Sequence, residues 1–330
     1  MKKVLFATSA LVLSAGFASA EVALSGDGRM GIIYDGDDAQ FSSRARVRFN
    51  LSGESDAGLS FGASFRVDQE NYNSNAYRSA ARGTAGAIWI SGTYGKLSMG
   101  DTVSASERAI GDLYEVGYTD GTFGGDVEEI SYLTGDGENL GQGPNILYEY
   151  TINNISLYAS ASDGVNTPWF TTPGDTTDTD ADGNLVDSAD VAWSVAGKYE
   201  AENFWVALGY GKHDDANEVV LGGEGTYNNF SFKGIFAKYD DRYTGRADGE
   251  TLEHTYGLGL AYQWDAVLVE GFYRRDGYEY TTAGVDDEDF DSFGIGAEYD
   301  LGGGAVLAGG IIDTDYLDDT VADFGIKFSF

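Results

Sequence analysis

The stretch RARVRF at residues 44–49 alternates three cations with three apolar side chains. Residues two apart in an extended strand share a face, so Arg44, Arg46 and Arg48 form one row with a spacing of about 7 Å. Ala45, Val47 and Phe49 form the opposite row. What the two rows face decides the fold. Against lipid near the middle of a bilayer each arginine would cost about 2–4 kcal/mol, and three on the order of 6–12 kcal/mol. A dry protein core is excluded too, because several unpaired buried charges outweigh a folding stability of about 5–15 kcal/mol. The arginines therefore face a wet or charge-compensated interior, and the apolar row faces outward.

The alternation continues on both sides of this stretch. In 22–34, Val22, Leu24, Met30, Ile32 and Tyr34 share one face and Ser25, Asp27 and Arg29 the other; in 59–67, Leu59, Phe61, Phe65 and Val67 oppose Ser60, Ser64 and Arg66. Three sequential hairpin strands then set Arg29, Arg44, Arg46, Arg48 and Arg66 on one patch of inner wall. Further strand-like runs lie near 84–93, 96–103, 144–151, 155–163, 189–199, 203–213, 217–227, 229–239, 254–264, 266–276, 290–300, 304–313 and 320–330, giving sixteen in all. Connections such as 153–154, 200–203, 228–229 and 301–304 are short, whereas 104–143 and 164–188 are long and rich in Asp and Gly.

Short turns on one side and long loops on the other predict an all-β, sixteen-stranded antiparallel transmembrane barrel. An even strand number lets the last strand pair with the first and removes free edges. Tyr199, Phe204 and Trp205 flank one short turn, Tyr227 and Phe230 another, and Tyr262 and Trp264 a third, as an interfacial aromatic girdle would require. Isolated glycines within strands read as places of close packing or bending.

Composition agrees. Residues 1–20, MKKVLFATSALVLSAGFASA, have a basic start, a short apolar centre and a small-x-small end, and read as a secretory signal peptide cut after Ala20. The barrel domain is then 21–330, with a net charge of −36 once Lys2 and Lys3 leave the chain's −34. No apolar run approaches the roughly 20 residues of a spanning helix, so a membrane form must be a closed barrel. Zero cysteines exclude a disulfide framework, and 54 acidic against 20 basic residues argue against nucleic-acid binding.

The loop 104–143 carries Glu107, Asp112, Glu115, Asp120 and Asp126, with no basic residue after Arg108. Folded inward as the third long loop, it would set carboxylates opposite the arginine wall and create a transverse field across a constriction. Left outside, it would be a solvated acidic loop. DTDADGN at 178–184 matches the start of a calcium loop, with Asp178, Asp180, Asp182, Asn184 and Asp187 as candidate oxygen ligands, although position twelve is Ala189. His213 and His254 are the only histidines, each beside carboxylates near a strand or loop end, and read as surface residues. An enzyme would need a serine or carboxylate within hydrogen-bond reach of one of them.

The chain resembles the sixteen-stranded general-diffusion porins, most closely those of purple photosynthetic bacteria, in EVALSGDGRMGIIYDGDD (21–38), FSSRARV (41–47), GDLYEVGYTD (111–120), YLTGD (132–136), YDLGGGA (299–305) and VADFGIKFSF (321–330). The resemblance implies a homotrimer of barrels with an inward eyelet loop. It assigns the wall role to Arg29, Arg44, Arg46 and Arg66 and the loop role to Glu107, Asp112, Glu115 and Asp120. Arg48 and the segment 121–130 depart from the family pattern, and the terminal Phe330 fits the family's assembly signal. The expected function is passive diffusion of ions and small hydrophilic solutes across a bacterial outer membrane, reached through the periplasm, without a required cofactor. A solute-selective porin on the same scaffold is the alternative. An acidic secreted β-protein binding calcium is a third reading, which detergent-free solubility would favour.

Overall fold

The period-two pattern resolves into sixteen strands in a computed structural model that describes residues 21–70, 86–134, 145–162, 191–213, 215–242, 249–281 and 284–330. The strands are β1 (Glu21–Tyr34), β2 (Ala39–Glu54), β3 (Ser60–Glu70), β4 (Gly86–Gly92), β5 (Gly95–Gly100), β6 (Asn145–Ile152), β7 (Ile155–Ser162) and β8 (Trp193–Glu200). They continue as β9 (Phe204–His213), β10 (Ala216–Tyr227), β11 (Phe230–Asp240), β12 (Glu250–Trp264), β13 (Val267–Tyr280), β14 (Glu288–Gly302), β15 (Ala305–Thr314) and β16 (Val321–Ser329). Each pairs antiparallel with its sequence neighbours, and β1 pairs with β16, so the barrel closes without an edge. Phe330 completes the seam through two backbone bonds with Gly26, at 2.8 and 3.2 Å.

The turns at 153–154, 228–229 and 265–266 lie at the same end of the barrel as Glu21 and Phe330. Asn153, Asn228 and Asp265 open their turns with φ of 52–53°, a left-handed conformation that Asn and Asp tolerate better than most residues. The predicted strand 96–103 stops at Gly100, where φ of 107° turns the chain out of the sheet and starts the long loop three residues early.

The two faces separate as the alternation requires. Val22, Leu24, Met30, Ile32, Phe232, Leu258, Leu260, Ile295 and Phe324 point outward and are exposed, a continuous apolar surface suited to lipid. The Tyr199 and Phe204 rings lie 6.1 Å apart and tilted, and the Phe230 ring lies 4.5 Å from that of Tyr262, at the end of the turns 201–203 and 228–229. Trp205 corrects the predicted girdle. Because Phe204 and Val206 face out, Trp205 faces in, where its Nε1 donates to Glu224 at 3.2 Å and Lys198 sits over its ring at 4.3 Å.

Inward-facing glycines make room for the loop after β5. A Cβ on Gly310 would stand 2.8 Å from Gly117 N, one on Gly325 2.8 Å from the Tyr118 ring, and one on Gly257 2.6 Å from Leu113. These glycines form a smooth bed on the inner wall, and the chain's high glycine content has this physical use in β12, β15 and β16. Leu113, Val116, Tyr118, Phe123 and Ile130, packed between loop and wall, belong to the buried apolar core.

Candidate functional site

Arg44, Arg46 and Arg66 share the inner wall with Asp27 and Asp68, and their charges are mostly compensated within it. Arg44 reaches Asp27 at 3.2 Å; Arg46 grips Asp68 through two bonds of 3.0 and 2.9 Å; Arg66 approaches the same Asp68 at 3.3 Å. The register explains these pairs, since Asp27 and Asp68 are both cross-strand partners of Arg46. Arg48 stands opposite Arg66, a like-charge pair, and is exposed with no ionic partner among the described residues.

The loop leaves β5 and forms a short helix, α1 (Ala105–Ile110), capped by Ser104, whose side chain accepts from Glu107 N. The Ala105 amide is held between Ser160 Oγ and Ser194 Oγ on β7 and β8. The loop then follows the wall to β16. There the Asp323 carboxylate accepts from Tyr118 N (3.1 Å), Thr119 N (2.8 Å), Thr119 Oγ1 (2.8 Å) and Gly310 N (3.0 Å). At this crest Arg29 donates to Thr119 O, and Asp120 lies 3.6 Å from Arg29 and 2.8 Å from Lys327. A tight turn at Thr122–Gly124 reverses the chain, and the return limb is fastened by Leu133 N on Glu218 at 2.6 Å and by Arg242 and Arg274. The contacts lie on inward-facing wall residues, so the loop is inside the barrel.

The expected acidic residues divide by role. Asp120 meets the arginine wall through Arg29, and it also bonds Lys327, a wall cation that the sequence reading did not single out. Asp112 turns into the loop, where it accepts from Ile130 N at 2.7 Å and burial pushes its carboxyl above the usual range. Glu115 is exposed and Asp126 half-buried, while Glu107 lies on α1 beside Arg108, which pairs with Glu149 of β6 at 2.8 Å. The candidate calcium ligands Asp178, Asp180, Asp182, Asn184 and Asp187 lie outside the described residues. His254 stacks on Tyr256, and its Nδ1 is 3.6 Å from Glu253.

Glu128 has no counterpart in the expected site. It is 1% exposed, and neither carboxyl oxygen has a hydrogen-bond partner among the described residues. Burial first, then the nearby Asp126 and Glu115, push its pKa up to about 8. A carboxyl raised in the folded loop stabilises that loop fully below its ordinary pKa of 4.5, and the contribution is lost as pH rises through about 8. The full loss is on the order of 5 kcal/mol. Glu128→Gln is therefore expected to keep the amides of 111–134 protected at pH 9, where the parent loop exchanges faster than at pH 6 after correction for intrinsic rates. Equal pH dependence in both proteins would refute the assignment.

A sixteen-stranded barrel with an apolar exterior, a charged inner wall and an acidic loop folded inside has the form of a transmembrane pore. A family model described as Gram-negative porin matches residues 7–319. The chain belongs to the Gram-negative porin family. It is 38% identical to a porin of Rhodobacter capsulatus, over 94% of this chain and the whole of that one. A porin of Fuscovulum blasticum is 26% identical, over 94% of this chain and all of the relative. Among solved structures, a porin refined at 1.8 Å resolution superposes with a TM-score of 0.72 at 33% identity, covering 94% of this chain and 100% of that one. A mutant of the Rh. blastica porin shares the fold, with a TM-score of 0.64 at 21% identity over 94% of this chain and all of its own. This porin is a diffusion channel, and the soluble secreted reading falls with its apolar outer surface.

Proposed function

We propose that this porin is a passive, water-filled channel of the bacterial outer membrane, through which ions and small hydrophilic solutes pass between the arginine wall and the inward loop. The observation that carries the reading is the pairing of a lipid-type exterior with a loop bonded to the inner wall at Asp323, Glu218 and Arg29. Wall cations Arg29, Arg44, Arg46, Arg48, Arg66 and Lys327 face a loop carrying Glu107, Glu115, Asp120 and Asp126. Such opposed charges orient polar solutes and disfavour apolar ones. Passage needs no chemical step and no cofactor.

The proposal includes removal of residues 1–20 during export through the periplasm and assembly as a homotrimer, which the family likeness supports. The test is the conductance of the detergent-purified protein in a planar bilayer, followed by its reversal potential in a salt gradient. Large current steps in groups of three with weak ion selectivity are expected. A correctly folded protein without conductance would overturn the channel reading, and single isolated steps would overturn the trimer.

A further inference from the structure

The return limb of the loop crosses the lumen beside β13 and is held there by an arrangement separate from the Asp323 crest. Arg274 of β13 is buried. Its guanidinium donates to Val127 O at 3.1 Å, to Glu129 O and to Ser131 Oγ at 3.1 Å, so three acceptors of one limb converge on one side chain. Arg242, its guanidinium 4.6 Å from the centre of the Tyr239 ring, donates to Ser131 O and to Tyr132 O.

Arg274 is itself oriented from outside the loop. Asp276, fully buried, accepts from its Nε at 3.0 Å and lies 2.8 Å from its Nη2, and also accepts from Thr255 Oγ1 at 2.5 Å and Tyr316 Oη at 2.6 Å. Tyr316 belongs to the connection between β15 and β16 at the long-loop end, and its hydroxyl also lies 2.6 Å from that of Tyr278. A continuous chain of hydrogen bonds thus runs from an outer loop to the constriction loop. Between limb and wall a cavity of about 410 Å³ is lined by Val127, Glu129, Arg274, Tyr278, Tyr316 and Leu317. The limb therefore has space to move toward the wall if its fastening fails.

We propose that Arg274 is a positioning residue for permeation, fixing the width of the eyelet by holding residues 127–131, and that Tyr316 sets Arg274 through Asp276. This rests on the channel reading above. It adds a second control point of the eyelet, one that an outer loop can influence. Loss of the three Arg274 bonds raises the population of a displaced limb on the order of 100-fold, and loss of the Tyr316 hydroxyl about fivefold.

The test compares single-channel records of the parent, Arg274→Gln, Tyr316→Phe and the double variant, after heat-modifiable gel mobility has established that each barrel is folded. Arg274→Gln is expected to raise mean conductance and open-channel noise, and Tyr316→Phe to shift both in the same direction by less. The double variant should match Arg274→Gln alone, because the two residues act in one chain. Parent-like records from folded Arg274→Gln, or additive effects in the double variant, would overturn the proposal. If Arg274→Gln does not fold, Tyr316→Phe decides, with parent-like noise as the refuting result. A parent protein without conductance would instead defeat the channel reading itself.

Discussion

Asp323→Ala is expected to release the crest of the constriction loop, raising conductance and open-channel noise while the barrel stays folded. The carboxylate holds three groups of the loop, Tyr118 N, Thr119 N and Thr119 Oγ1, and ties them to Gly310 N of the neighbouring strand. Each buried donor left unsatisfied costs about 1–3 kcal/mol, so the crest loses on the order of 4 kcal/mol even when water reaches some of them. What remains at the crest is weaker. Arg29 keeps Thr119 O and Lys327 keeps Asp120, but Asp120 and Lys327 are partly solvated, and such ion pairs contribute little. Strand pairing on both sides of Asp323 is backbone-made and survives the substitution. The check is a bilayer recording paired with gel mobility before and after heating. Unchanged conductance and noise in a folded variant would show that the crest is held elsewhere.

The joint replacement of Arg44, Arg46 and Arg48 by alanine is expected to move the channel strongly toward cations and to raise its conductance. The wall carries Arg29, Arg44, Arg46, Arg48, Arg66 and Lys327 against Asp27, Asp68 and Glu298, and the triple variant leaves three cations against the same three acids. One charge at about 10 Å acts on a passing ion by about 0.4 kcal/mol in water. Screening at 0.1 M salt reduces this about threefold, so three charges change each ion's free energy by about 0.5 kcal/mol, with opposite sign for anions. The cation-to-anion permeability ratio then rises by roughly fivefold. The barrel tolerates the change because Asp68 keeps Arg66 at 3.3 Å and Asp27 is open to the lumen. An unchanged reversal potential in a salt gradient would place the three arginines away from the conducting path.

Much of this fold was legible because a barrel strand encodes its two environments locally. Arg44, Arg46 and Arg48 share a face by period alone, and the same parity puts Asp27 with Arg29 and Asp68 with Arg66. That parity also excludes Trp205 from the outer girdle, since Phe204 and Val206 already occupy the outward positions. The partners of the arginines were not legible in the same way. Arg46 meets Asp68 instead of a loop carboxylate because the β2–β3 register sets the two opposite each other, and register depends on the whole hairpin.

The residues that hold the loop lie further still from its sequence. Asp323 and Thr119 are 204 positions apart, Glu218 and Leu133 85, and Arg274 and Val127 147. No local pattern marks an aspartate on β16 as the seat of a loop after β5, or distinguishes Glu128, buried with neither carboxyl oxygen hydrogen-bonded among the described residues, from the solvated acids beside it. The sequence by itself determined the strand count, the lipid-facing and lumen-facing sides, and the presence of a charged interior, because alternation and turn chemistry act between near neighbours. Only the tertiary structure decided which cations are free, which acids face the pore and where the constriction loop is fastened. Those outcomes depend on side chains brought together by barrel closure, and on glycines such as Gly310 and Gly325 whose missing Cβ atoms matter only once the loop lies against them.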